Sequence, residues 1–452
     1  MTTQRTHFGS RLGAILAAAG SAVGLGNIWR FPCETGANGG AAFILVYIFC
    51  IAIVALPVLI TELTLGRHAR ANVYDAYRKM GGTAFWRFAG LLGVCGGFLV
   101  LSYYGVVAGW TLEYTYESIS GNLLGQSADG YAQGFVEFSS DPLRPMLWMV
   151  TFIVITAGIV LLGVQRGIER GAKLMMPLLA VLLVVLMVCS LSLPGSAKGV
   201  EFLLKPDFSK LTPQVFMSAL GQAFFTLSIG IGTLMTYASY FSDRVNIIKD
   251  SCHVALIDTL VAILAGLIIF PAALAVGVSP DAGPSLVFIT LPNVFQQAFG
   301  GVPLLSYVVT VMFYLLLVMA AMTSSISMLE ESTAFVTEKF NISRLKAVSI
   351  LTVLTLSAGA LCSLSFGPWA DVTVMGMGFF DLFDFLVAKF CMPLGGIFSC
   401  VMLSRMGKER VVALFTNNGT LRLGQLPVVL YYLIKYVVPL LIAVIFINEL
   451  LG

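Results

Sequence analysis

Two apolar segments of this chain, one near its start and one near its middle, are each interrupted at mid-length by glycines. The first runs Ala14 to Ala18, opens into Gly20-Ser21-Ala22-Val23-Gly24-Leu25-Gly26-Asn27, and resumes as Ile28-Trp29-Arg30-Phe31-Pro32. The second runs Gln222 to Leu227, opens into Ser228-Ile229-Gly230-Ile231-Gly232-Thr233, and resumes as Leu234-Met235-Thr236-Tyr237. Glycine frees the backbone but weakens a helix by about 1 kcal/mol relative to alanine. In a bilayer the polar groups released by such a break must be buried in protein or line a polar cavity. Interrupted spans in matching positions of two halves therefore point to a mid-depth site for a small solute and its ions. Gly9 and Gly13 read instead as close helix contacts. The central breaks differ because each carries Ser, Asn or Thr at the same depth.

At 58% hydrophobic and 11% charged, the 452 residues exclude an ordinary soluble protein. Apolar runs of about 20 residues predict eleven spans, near 11–36, 40–66, 87–116, 146–163, 173–193, 213–240, 254–277, 303–335, 346–364, 374–404 and 427–450. With a cytoplasmic N-terminus, nineteen of the 26 Lys and Arg fall in inner segments, among them Arg5, Arg11, Arg67, Arg70, Arg344 and Arg410. Four (Arg144, Lys198, Lys205, Lys210) fall outside, and three (Arg30, Lys389, Lys435) lie within spans. That asymmetry satisfies the positive-inside rule, and an odd number of spans puts Gly452 outside. The +3 net charge comes from the same bias, so nucleic acid is not an expected partner. No obligate protein partner is expected either. The apolar run continues past Pro32, unlike a cleavable signal. The eight cysteines lack CxxC spacing and read as small buried hydrophobes.

The expected architecture is an all-α polytopic membrane protein forming a single transmembrane domain over 1–452. Spans 1–5 (10–193) and 6–10 (213–404) make a 5+5 inverted repeat, because five spans reverse the topology. Each half opens on its broken helix, spans 1 and 6, and the eleventh span (427–450) is an addition. No HExxH, GxSxG or Walker-type loop appears, so an enzyme is not expected.

The run Gly20 to Pro32, followed by Asn38-Gly39-Gly40-Ala41-Ala42-Phe43, resembles the first-span signature of the neurotransmitter:sodium symporters. Gly221-Gln222-Ala223-Phe224-Phe225-Thr226-Leu227-Ser228, Thr236-Tyr237-Ala238-Ser239-Tyr240 and Thr323-Ser324-Ser325-Ile326 are similar to its sixth- and eighth-span signatures. The likeness covers essentially the whole chain. It implies a LeuT-type fold and sodium-coupled import of a small L-amino acid by alternating access. The location implied is the bacterial cytoplasmic (inner) membrane, and eleven spans are similar to a bacterial subgroup. A membrane sensor that binds an amino acid without moving it is the alternative.

Sodium is a hard cation that takes oxygen ligands. The resemblance implies one sodium at Ala22, Asn27, Thr226 and Asp258, and a second at Gly20, Val23, Ala320, Thr323 and Ser324. Asp258 lies mid-span, where a carboxylate is costly unless paired or metal-bound. The family commonly has asparagine there, and its bacterial prototype carries an acid one turn further on, at the position of Ala262. Moving the acid to Asp258 keeps a negative charge beside the first sodium, so no chloride requirement is expected. Substrate contacts implied are Ser21, Ala22, Leu25, Gly26, Val100, Tyr104, Phe225, Thr226, Ser228, Ile231, Ser324, Ser325 and Met328, with Val107 beside them. Ile231 replaces a phenylalanine of the prototype, which suggests room for a hydrophobic or aromatic amino acid. Arg30 and Asp384 match the family's outer gate pair, with Phe225 and Tyr104 as a lid. Arg5 and Glu338, supported by Tyr240, match the inner pair. Glu62 is expected to bind amides freed by the broken helices. Glu330 and Glu331 take no role beyond a polar inner vestibule.

Overall fold

The computed structural model describes residues 7–243, 245–277 and 286–451. Helix α1 (Arg11–Ala22) starts at Ser10, whose hydroxyl accepts the Gly13 N–H at 3.0 Å and so satisfies one of the donors left open at a helix start. It ends where Val23 turns extended (φ −67°, ψ 115°), and α2 (Gly26–Ala37) sets off at 53° to it. Next come α3 (Ala41–Ala69), the amphipathic α4 (Val73–Gly81), α5 (Ala84–Ile119), α6 (Arg144–Leu161) and α7 (Val164–Leu191).

Helix α8 (Pro213–Thr226) opens the second half and α9 (Thr233–Ala238) follows its break. The chain continues as α10 (Ile247–Ala275), α11 (Pro303–Phe340), α12 (Arg344–Leu364), α13 (Phe379–Arg405) and α14 (Leu426–Asn448). At 1.5 Å per residue, the 38 residues of α11 extend about 57 Å. It therefore projects well past a hydrocarbon layer of about 30 Å.

Among the described residues, nine helices are long and apolar enough to cross a membrane, and the bent pair α1 and α2 makes a tenth. Eleven are predicted from apolar runs. The difference lies at 213–240, which the chain builds as pieces of 14 and 6 residues. Neither piece reaches across a bilayer alone.

The breaks sit at the centre of the bundle. Helix α1 packs on α7, α10 and α11, while α9 packs on α3 and α11. The longest helices, α5 and α11, run against each other behind the breaks. Gly230 holds φ 89°, and a Cβ there would strike the Met392 carbonyl of α13. A side chain is thus excluded twice, by torsion and by space. The helix ends bearing Arg11, Arg67, Arg344 and Arg405 form one face of the bundle, called here the basic face.

Candidate functional site

At the first break, Gly24 has no room for a side chain. A Cβ would lie 2.6 Å from the Ser324 hydroxyl and 3.0 Å from the Tyr104 hydroxyl. The close approach lets the Leu25 N–H donate to the Tyr104 hydroxyl at 3.1 Å. At the second break, Ser228, Gly230 and Gly232 all hold positive φ. Glu62 of α3 accepts the released Gly230 N–H at 2.8 Å.

Between the breaks lies a small cavity of about 30 Å³. Ten of the thirteen expected substrate contacts line it: Ala22, Gly26, Val100, Tyr104, Phe225, Thr226, Ser228, Ile231, Ser324 and Met328. Three do not. Ser21 is turned into a hydrogen bond with Ser327 at 2.8 Å. Leu25 faces a second cavity, and Ser325 is buried away from the pocket with its hydroxyl unpartnered. Gly24 and Met392 also line the cavity. Met392 is one apolar residue among many in α13 and had no distinguishing signal in the sequence.

Asn27, Thr226 and Asp258 are fully buried and converge beside this pocket. The Asn27 amide nitrogen donates to Thr226 Oγ1 at 2.8 Å and to Asp258 Oδ1 at 2.7 Å, and the Thr226 hydroxyl donates to Asp258 Oδ2 at 3.0 Å. A carboxylate, a hydroxyl, an amide oxygen and the Ala22 carbonyl make a hard-oxygen set that suits sodium. The amide oxygen of Asn27 accepts the Gly24 N–H at 2.9 Å in this geometry. Its second lone pair is left for a cation. Across α1, the Ser324 hydroxyl donates to the Val23 carbonyl at 3.0 Å and the Thr323 hydroxyl lies 3.0 Å from the Ala320 carbonyl. A Cβ on Gly20 would come 3.2 Å from Thr323 Cβ. These five residues form a second cluster of uncharged oxygens.

Away from the basic face, a cavity of about 310 Å³ is lined by Arg30, Tyr103, Phe225 and Asp384, among others. Phe225 and Tyr104 border both cavities and separate them. The Arg30 guanidinium lies 4.3 Å over the Phe225 ring and 3.9 Å from Glu34. Among the described residues no Arg30–Asp384 ion pair is formed, so the two expected gate residues face one cavity without closing it.

On the basic face, Phe8 packs into an aromatic cluster. The Phe8 ring meets Tyr237, Tyr240 and Phe241 edge-on at about 6 Å, and its N–H donates to the Tyr240 carbonyl at 3.1 Å. The Tyr240 hydroxyl donates to Glu330 at 2.8 Å, and Glu330 is ion-paired with Arg344. Arg5 lies outside the described residues. Glu338 accepts from the Asn72 side chain at 2.6 Å. Two further acids pin the start of α1. Glu169 takes the Gly9 N–H at 2.6 Å and the Ser10 hydroxyl at 2.9 Å, and Asp250 pairs with Arg11 at 2.5 Å. Glu331 accepts the Thr233 hydroxyl at 2.5 Å at the first turn of α9.

Glu330 and Glu331 were conspicuous in sequence as acids inside an apolar run. Their partners sit on other helices and left no sequence signal.

The model of the sodium:neurotransmitter symporter family matches residues 5–133 and 140–452. An uncharacterized sodium-dependent transporter of Bacillus subtilis is 38% identical over 97% of this chain and 96% of its own. One from Haemophilus influenzae is 33% identical over the full length of both. The crystal structure of MhsT in complex with L-phenylalanine superposes with a TM-score of 0.89 at 41% identity, covering 98% of this chain and 99% of that one. With its LeuT-type fold, this chain is a sodium-dependent transporter and belongs to the sodium:neurotransmitter symporter family.

Proposed function

We propose that this transporter imports a hydrophobic or aromatic L-amino acid together with sodium, and without chloride. The observation that carries the reading is the closure of Asp258, Asn27 and Thr226 on one another beside a pocket walled by both broken helices. The N–H groups outside the helical ladder at 24–26 and the Tyr104 hydroxyl, now bonded to Asn27 and to Leu25, suit a carboxylate once they turn to it, helped by the positive end of α2. The carbonyls that end α1 and α8, at Ala22 and Phe225–Thr226, suit an ammonium.

The apolar wall of Val100, Ile231, Met328 and Met392 takes the side chain. MhsT was crystallised with L-phenylalanine, and that class of substrate fits this wall. A 30 Å³ cavity must expand for such a ligand. The two methionines, unbranched and easily repacked, make that expansion cheap.

Two sodium ions are assigned, one to Ala22, Asn27, Thr226 and Asp258, the other to Gly20, Val23, Ala320, Thr323 and Ser324. The buried Asp258 carboxylate supplies the negative charge at the first, in place of chloride. The N-terminus and the basic face are cytoplasmic, in a bacterial inner membrane, and the C-terminus is outside. On this reading the structure corresponds to a state closed to the cytoplasm, with the 310 Å³ cavity leading outward. Substrate seats under Phe225, Arg30 and Asp384 then draw together, and release inward requires the contacts of Phe8, Glu330 and Glu338 to part.

The test is uptake of radiolabelled L-amino acids into proteoliposomes under an inward sodium gradient, with gluconate replacing chloride in parallel. Sodium-driven accumulation in gluconate is expected. Sodium-dependent binding without accumulation would mean a sensor, and accumulation only in chloride would remove the role given to Asp258.

A further inference from the structure

A cavity of about 660 Å³ lies away from the pocket between the two breaks. It opens on the basic face between the end of α3, Asp243 and the stretch 413–421, which spans the end of the helix Lys408–Phe415. Its size falls within the range of small-molecule sites. Arg67, His68 and Arg70 line it, together with a single carboxylate, Asp243.

Arg67 is only 6% exposed and its hydrogen-bond partners are all neutral oxygens, with the Asp243 carboxylate acting on it through space. It donates to the Val245 carbonyl at 2.7 Å, the Leu414 carbonyl at 2.8 Å and Asn417 Oδ1 at 2.9 Å. These bonds hold the guanidinium in place but leave its charge standing at the cavity wall. Arg70 is ion-paired with Asp243, the lone acid, whose side chain is 91% exposed. A third guanidinium, that of Arg410, lies 3.1 Å from His68 Nε2. Two arginines, with Arg410 beside His68, therefore share one solvent-washed carboxylate.

A concave, low-dielectric wall concentrates such a field. Guanidinium forks match the oxygens of phosphate in geometry and charge. Leu414 and Leu421 add an apolar flank, and Asn418, held in the left-handed region at φ 57°, lines the rim.

We propose that this cavity is a phosphate-binding site, separate from the solute pathway, for a phosphate monoester or diester. Two sources present that chemistry at a membrane surface, a free phosphate and an anionic lipid headgroup.

The purified full-length protein would be tested with two probes. Inorganic phosphate would be titrated at constant sodium while the melting temperature is followed. Separately, protein in nanodiscs of mixed phosphatidylglycerol and phosphatidylcholine would be examined by native mass spectrometry for retained lipid. Arg70→Gln and Arg410→Gln should each weaken binding of the active probe about fivefold, the factor for one cationic side chain near a membrane surface. Asp243→Asn should strengthen it by a similar factor. Since Asp243 is exposed and its loss removes no buried contact, a gain there is not an effect of misfolding.

A response to inorganic phosphate names the free anion as the source, and selective retention of phosphatidylglycerol names the lipid. No binding of either probe by the wild type, or equal binding by all three variants, would overturn the proposal.

Discussion

Replacing Asp258 by asparagine removes a charge from the first sodium site while keeping its shape and one oxygen. The carboxylate oxygens lie 2.7 Å from the Asn27 amide and 3.0 Å from the Thr226 hydroxyl. An ion among these groups would sit within about 4 Å of the negative charge. Two unit charges at that distance attract by about 4 kcal/mol in an effective dielectric of about 20. Part of this is offset, because the carboxylate no longer has to be desolvated in the variant. A net loss of about 1.4–2.7 kcal/mol remains, or roughly ten- to a hundredfold in affinity.

The assay is the sodium dependence of uptake in proteoliposomes, with monodisperse elution of the variant as the check on folding. The concentration for half-maximal uptake should rise ten- to a hundredfold for Asp258→Asn, while wild-type uptake stays the same in gluconate. An unchanged sodium dependence in the variant would refute the reasoning, because the charge would then be playing no part at that site.

Substitutions at three further positions separate the roles of other groups. Glu62→Gln keeps an acceptor for the Gly230 N–H and should transport within about threefold of wild type. Glu62→Ala orphans that buried donor at a cost of about 1–3 kcal/mol, and should lower uptake and melting temperature together. Glu330→Gln breaks a pair whose acid is buried and leaves the half-buried Arg344 guanidinium with the Val160 carbonyl, a loss below the roughly 3–5 kcal/mol of a fully buried pair. Thermal unfolding should register it. Ile231→Phe fills the wall of the pocket and should shift competition profiles toward smaller aliphatic amino acids, read as displacement of a bound aromatic amino acid.

Much of the site was legible because its chemistry is local. A run such as Gly20 to Asn27 announces both its broken helix and its oxygen donors within eight residues. Asp258 stands out by itself as an acid inside an apolar span. Membership of a pocket was less legible. Ser21 and Ser325 sit within signature motifs, yet helix rotation turns both away from the cavity, while Met392 enters it from α13.

From the order of residues alone came the membrane class, the two breaks and the basic side. These follow from composition, glycine torsions and charge bias, all properties of short stretches of chain. Tertiary structure decided which acids meet which partners. Glu330 joins Arg344 and Tyr240, Glu331 takes Thr233, Glu169 holds the start of α1, and Arg67 ties three separated segments into one cationic cavity. Such pairings depend on how helices distant in sequence rotate and stack. Hydropathy carries no record of that, because a buried acid looks the same in sequence whichever donor it meets.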